Sequence, residues 1–243
     1  MPLDLNLWRS VCVLLLAWAL IDFNPVLAET LHVPSIPRPQ SQPASTAAAK
    51  TLSQSLAKRD RQQLAMAREC AKDVAGVNAR EKSNTLVAEF ELRYEVLLDT
   101  PQIYSLVQRL NIHCIGPYPA FAENALVFDL ATGQHYNPLR LYAITRNGPD
   151  GAEFLPEIRT LIRQALIAGR QPTDQKDECL QVLKRDDIRL LEKDTLGLGA
   201  QGLHVMYSGP HVVQACYGDV VLPYARLKKF LNTQEAQRIH WVH

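Results

Sequence analysis

Apolar and polar residues alternate along LVAEFELRYEVLL at 86–98, where Leu86, Ala88, Phe90, Leu92, Tyr94, Val96 and Leu98 interleave with Val87, Glu89, Glu91, Arg93, Glu95 and Leu97. A period of two predicts a strand with one buried and one wet face. On that reading Glu89, Glu91, Arg93 and Glu95 form a solvated face rather than paired catalytic carboxylates. Asp99-Thr100-Pro101 ends the strand, and alternation resumes from Ile103 to Cys114, which predicts an antiparallel pair. Leu126-Val127-Phe128-Asp129, followed by turn chemistry through Gly133, predicts a further hairpin.

Helical spacing appears twice in strength. Residues 46–74 are rich in Ala, Leu, Gln, Lys and Arg, with Leu52, Leu56, Ala67, Cys70 and Val74 on one side and the charged Lys58-Arg59-Asp60-Arg61 dividing them. Phe154, Leu155, Ile158, Leu161, Ile162, Ala165 and Leu166 mark a helix that starts near Pro156 and stops at Gly169, after a loop at 147–151. Asp174 is positioned to cap a shorter helix carrying Cys179, and Ile188 to Glu192 reads as a short strand. LHVMY at 203–207 and VVQACY at 212–217, split by Ser208-Gly209-Pro210, read as a hairpin extended by Val220 to Leu222. Pro223 then opens a last helix through Leu227 and Leu231.

The first 28 residues have a different pattern. Arg9 precedes an apolar run of about 12 residues, and Pro25-Val26-Leu27-Ala28 offers a cleavage site before Glu29. The run is short for a bilayer, which takes about 20 apolar residues. A signal peptide at 1–28 is therefore expected, with a periplasmic or secreted product and no stable membrane span after cleavage. Residues 29–47 hold Pro34, Pro37, Pro39 and Pro43 among small polar residues and read as a disordered linker. Residues 48–243 form the domain, of a size to bury one core.

Charge narrows the partners. Lys and Arg number 26 and Asp and Glu 25; the leader takes Arg9, Asp4 and Asp22, leaving a net charge of about +2. Nucleic acid is not an expected partner, because no basic stripe is present. Export also changes the cysteines. Without Cys12, the four that remain are Cys70, Cys114, Cys179 and Cys216, an even number in a compartment where disulfides persist. Of three connectivities, Cys70 with Cys114 and Cys179 with Cys216 is favoured, since each pair closes a loop within one half of the chain and joins a helix to a strand.

Candidate chemistry is sparse. No cysteine lies in a C-x-x-C pair and the histidines bring no third ligand at metal-site spacing, so neither a metal nor another cofactor is expected. Adjacent strand residues point to opposite faces, which separates His113 from Cys114 as a nucleophilic pair. The glycines at 197, 199 and 202 fit G-x-G-x-x-G, but the run leads into LHVMY rather than a helix, and the dinucleotide-binding context fails. Tyr118, Phe121, Tyr136 and Tyr142 surround predicted turns, where aromatic rings grip sugars or partner proteins.

Two segments carry a family resemblance. ENALVFDLATGQHYNPLRLY, with Phe128, Asp129, Thr132 and Gly133, resembles the F-D-x-x-T-G turn of the DUF3298 domain family. GLHVMYSGPHVVQACYGDVVLPYARLKKFL resembles its C-terminal region, through Gly202, Leu203, Val205, Gly218, Val220, Leu222, Pro223, Tyr224 and Leu227. The strands at 86–114 resemble the DUF4163 region that precedes it, so the likeness spans 86–232. The resemblance implies an extracytoplasmic domain, as in an anti-sigma factor whose outer domain binds lysozyme and in peptidoglycan deacetylases where it is an accessory module.

The expected fold is α+β: a single domain with a mostly antiparallel sheet and helices packed on one face. The expected function is a non-enzymatic binding module for a lysozyme-like protein or peptidoglycan. Its rivals are a cell-wall-directed hydrolase and a structural subunit of an envelope complex.

Overall fold

The strongly alternating strands form the centre of the molecule. The computed structural model describes residues 31–83, 85–115, 118–148, 151–169, 195–206 and 218–242, together with 178, 181 and 216. The expected leader, the strand at 188–192 and Cys179 lie outside the described residues. Strands β1 (Leu31–His32), β2 (Glu89–Asp99), β3 (Ile103–His113), β4 (Ala120–Asp129) and β5 (Gln134–His135) make one sheet in that order. Its centre is the antiparallel meander β2–β3–β4, with Leu92 opposite Leu110 and Leu110 opposite Ala122.

Helix α1 (Thr46–Glu81) covers one face of this sheet. The Ser45 side chain caps it by accepting from the Ala48 amide at 3.1 Å, and Lys82 ends it in the left-handed conformation. Leu52 and Leu56 pack with Tyr104, Leu106, Leu126 and Phe128, and Ala67 packs with Phe90, Leu92 and Leu110. The charged stretch at 58–61 does not divide the helix. Arg59 donates to the buried Gln108 carbonyl oxygen at 3.1 Å, and Asp60 accepts from the Ile36 amide at 2.9 Å, so both charges have partners on the packed side.

The same bonds overturn the expectation of a disordered segment through residue 47. The described part of that segment is bound along its length: β1 pairs in parallel with β2, Ile36 is buried, and Tyr104 donates to the Pro37 carbonyl. The amides of Gln40 and Ser41 donate to Asp99, and Ala44 donates to Leu130. Composition does not register such an arrangement, because a strap of this kind is held by acceptors elsewhere in the chain rather than by its own side chains.

A second layer lies on the opposite face. Strands β6 (Thr145–Gly148) and β7 (Gly151–Phe154) form a hairpin where a loop was expected. Helix α2 (Pro156–Ala168) follows, with Pro156 in its first turn. Strands β8 (Leu196–Leu198), β9 (Gly202–Val205) and β10 (Val220–Pro223) make a three-stranded antiparallel sheet in the order β10–β9–β8. Thus β9 pairs with 220–223; the run at 212–217 expected opposite it lies, apart from Cys216, outside the described residues. Leu198, Leu203 and Leu222 join Ile158 and Ile162 of α2 and Ile103 and Val127 of the large sheet in the main hydrophobic core.

Glycines set the distance between the two sheets. A Cβ on Gly197 would lie 2.8 Å from the Leu97 terminal methyl and 3.3 Å from Ala125, so a larger residue would require Leu97 to shift. The Leu198 amide then donates to the buried Ser105 hydroxyl at 3.1 Å. The strict alternation read for 86–98 is broken here by a register shift between Val96 and Leu98, which turns Leu97 and Leu98 toward the second layer and leaves Val96 exposed.

The chain ends in α3 (Tyr224–Leu227), a 3-10 turn at Lys228–Phe230 and α4 (Thr233–Arg238), so the last helix expected after Pro223 is broken into pieces. Arg238 fixes α4 to the sheet by donating to Asp129 at 2.8 Å and to both oxygens of Glu235. Together these elements make a single α+β domain. Among the described residues no helix is long and apolar enough to cross a membrane.

The Cys70–Cys114 disulfide joins α1 to the end of β3 across a Cα separation of 5.1 Å. Cys216 is disulfide-bonded as well, and Cys179, its expected partner, lies outside the described residues. At a sequence separation of 44, the Cys70–Cys114 link removes about 4 kcal/mol of unfolded-chain entropy in the loop-closure account. The double substitution Cys70→Ala, Cys114→Ala is expected to lower unfolding free energy by about 2–4 kcal/mol in urea titrations.

Stability should also depend on Glu235. Its hydrogen bonds from Arg238 hold the carboxyl below its ordinary range, although burial works in the opposite direction. A depressed carboxyl stabilises the fold above its unfolded pKa, and that contribution disappears as pH falls through the folded value. Acid titration of stability below about pH 4.5 is expected to be shallower in Glu235→Gln than in the parent, and the variant should be about 1.5–3 kcal/mol less stable at pH 7.

Candidate functional site

The second sheet covers only part of the large one. Near the β8 contact, Ile103, Ser105, Val107, Ala125 and Val127 of the outer face are buried. Beyond Val107 the same face carries polar residues in cross-strand rows. Arg93, Arg109 and Glu123 face one another across β2, β3 and β4, and Glu91, Asn111 and Phe121 form the next row. Gly218 and Asp219, leading into β10, stand beside these rows and complete the lining of a groove of about 330 Å³.

Two arginines directly opposite each other would repel, so the row depends on the carboxylates around it. Arg109 donates through Nε to Glu123 at 2.9 Å and through Nη1 to Glu95, while its Nη2 lies 3.8 Å from Asp219. Burial disfavours its charge, but the hydrogen bonds it donates to Glu95 and Glu123 outweigh this and raise the guanidinium pKa above its ordinary value. Arg93 pairs with Glu91 two residues away on the same face. Asp219 is oriented by His204 Nδ1 at 2.9 Å, and a side chain at Gly199 would strike the His204 ring.

Two acceptors on the lining are sealed and have no hydrogen-bond partner in the protein: Asn111 Oδ1 and Asp219 Oδ1. Both atoms are closed to solvent, so they form part of the walls rather than of the open surface of the groove. Phe121 remains 39% exposed and supplies an apolar ring face. The groove therefore combines carboxylates, guanidinium groups and a partly exposed aromatic ring. Among the described residues, no group of three or more His, Cys, Asp or Glu is placed to hold a metal ion.

The four aromatic residues expected at a partner surface divide into two pairs. Phe121 lines the groove, and Tyr118 is 71% exposed two residues before β4. Tyr136 and Tyr142 are buried and belong to the core, which removes them from any contact surface. Tyr136 lies beneath the guanidinium groups of Arg140 and Arg238. Tyr142 stacks on Tyr224 and accepts a hydrogen bond from the Trp241 indole at 3.1 Å; burial pushes its phenol up to about 12, with the Trp241 bond acting against that rise. Of the four cysteines, Cys70 and Cys114 have a structural role behind the groove.

Sequence reasoning did not find Arg109, Asn111, Glu123, His204 or Asp219. Only the wet face of β2 pointed toward them. The rest depends on register and on the placement of Asp219, which is 110 residues from Arg109 in sequence.

The division predicts unequal effects. Tyr142→Ala is expected to cost about 3–5 kcal/mol of stability through the core cavity it leaves. Tyr118→Ala should remain within about 0.5 kcal/mol of the parent in the same denaturation experiment.

No family model matches the chain, and no curated protein matches it. In structure it is similar to a member of the DUF3298 family from Bacteroides fragilis, at 14% sequence identity and a TM-score of 0.49, over 73% of this chain and 69% of that one.

Proposed function

We propose that this chain is an extracytoplasmic binding module and that its groove takes peptidoglycan of the cell envelope. The observation that carries this reading is the groove itself, where mutually compensated charges and the partly exposed Phe121 lie on the part of the large sheet left open by the described second layer. The disulfide chemistry supports placement outside the reducing cytoplasm, as does the signal-peptide pattern of the first 28 residues. Binding rather than turnover suits side chains whose charges are mutually satisfied, because each ionic group of the groove is already held by a neighbour.

Co-sedimentation of the full chain with purified sacculi tests the proposal. Retention with the sacculi and no release of soluble muropeptides is the expected result. Retention only by a lysozyme-like protein would transfer the role to a protein partner, and release of muropeptides would make the chain a hydrolase.

A further inference from the structure

We infer that the end of the large sheet where β1 and β2 begin is a contact surface for the lipid bilayer, used while the chain is joined to its N-terminal apolar run. Strand direction is the first argument. β1 pairs in parallel with β2, Leu31 opposite Phe90, so the chain enters β1 at the end of the sheet where β2 starts and β3 finishes. Nine residues separate the apolar run at 10–21 from Leu31, and they reach at most about 30 Å at full extension. With that run in the bilayer, the tether keeps this end of the sheet close to the lipid.

Surface composition is the second argument. Among the described residues ten large hydrophobic side chains are exposed, and four of them, Leu86, Val87, Ile115 and Tyr118, belong to the segments that enter β2, leave β3 and enter β4. Glu89 pairs with His113, and the same register carried two residues further sets Val87 against Ile115. These two are 55% and 52% exposed, an aliphatic pair at the tip of the sheet. Tyr118 adds an amphipathic ring of the kind that collects at membrane interfaces. Charge decides the mode of contact. At the end of α1, which Asn78 ties to Leu86, Arg80 and Lys82 are matched by Glu81 and Glu89, so the contact is apolar and needs no anionic lipid. A few side chains hold a bilayer weakly by themselves, and the tether supplies the high local concentration that such a contact needs.

The test reconstitutes the full chain in phosphatidylcholine vesicles with brominated acyl chains and reads tryptophan fluorescence. Val87→Trp and Ile115→Trp each add a reporter at this end, and Val96→Trp adds one at a comparably exposed position about 30 Å away along β2. The signal of Trp8, Trp18 and Trp241 in the parent is subtracted. Brominated lipid is expected to quench the added fluorescence about twofold at 87 and 115 and to leave that at 96 unchanged, with the same result when phosphatidylglycerol is included. Both reporter positions are exposed, so either variant is sufficient if the other does not fold. No quenching at 87 and 115, equal quenching at all three positions, or quenching that appears only with phosphatidylglycerol overturns the assignment. The peptidoglycan reading of the groove does not depend on any of these outcomes.

Discussion

The close approach of β8 to the large sheet determines how much of that sheet is covered. With no side chain at Gly197, the strand sinks against Leu97 and Ala125, and Ser105 satisfies the Leu198 amide that this depth would otherwise bury unpaired. The bulge at Leu97 belongs to the same contact, because it turns two consecutive leucines toward β8 and its neighbours. Where this packing ends, the outer face of β2–β3–β4 changes from Val107 and Ala125 to Arg109 and Glu123 within a single two-residue step. Among the described residues, the groove is the part of the sheet that the second layer leaves uncovered.

Charge compensation makes that remainder stable in water. Exposed ion pairs contribute little to stability individually, but a guanidinium shared among Glu95, Glu123 and Asp219 fixes side chains in place. The His204–Asp219 bond extends this order to the wall, and the space it needs is provided by Gly199. The G-x-G-x-x-G spacing therefore has a packing origin. Gly197 admits the neighbouring sheet, Gly199 admits an imidazole, and Gly202 faces the Leu222 backbone.

Local patterns in the sequence were informative wherever one element supplied both pattern and cause. The β2–β3 pair, the helix opened by Pro156 and the turn at Asp129–Gly133 all follow from neighbouring residues. The strap through Ile36 did not, since its amides bond to Asp60 and Asp99, acceptors whose availability depends on the folded helix and sheet. Tyr136 and Tyr142 misled for a related reason: turn-rich surroundings suggested exposure, while α4 and Trp241 arrive from the far end of the chain to cover them. Of the groove, the charged face of β2 and Phe121 were legible. Arg109, Glu123 and Asp219 required strand register, which alternation alone does not specify.

The Cys70–Cys114 bridge ties helix α1 to the end of β3, immediately after the residues whose other face forms the groove floor. The bridge restricts the unfolded chain, so part of the order at this end of the sheet is set by oxidation and not by packing alone.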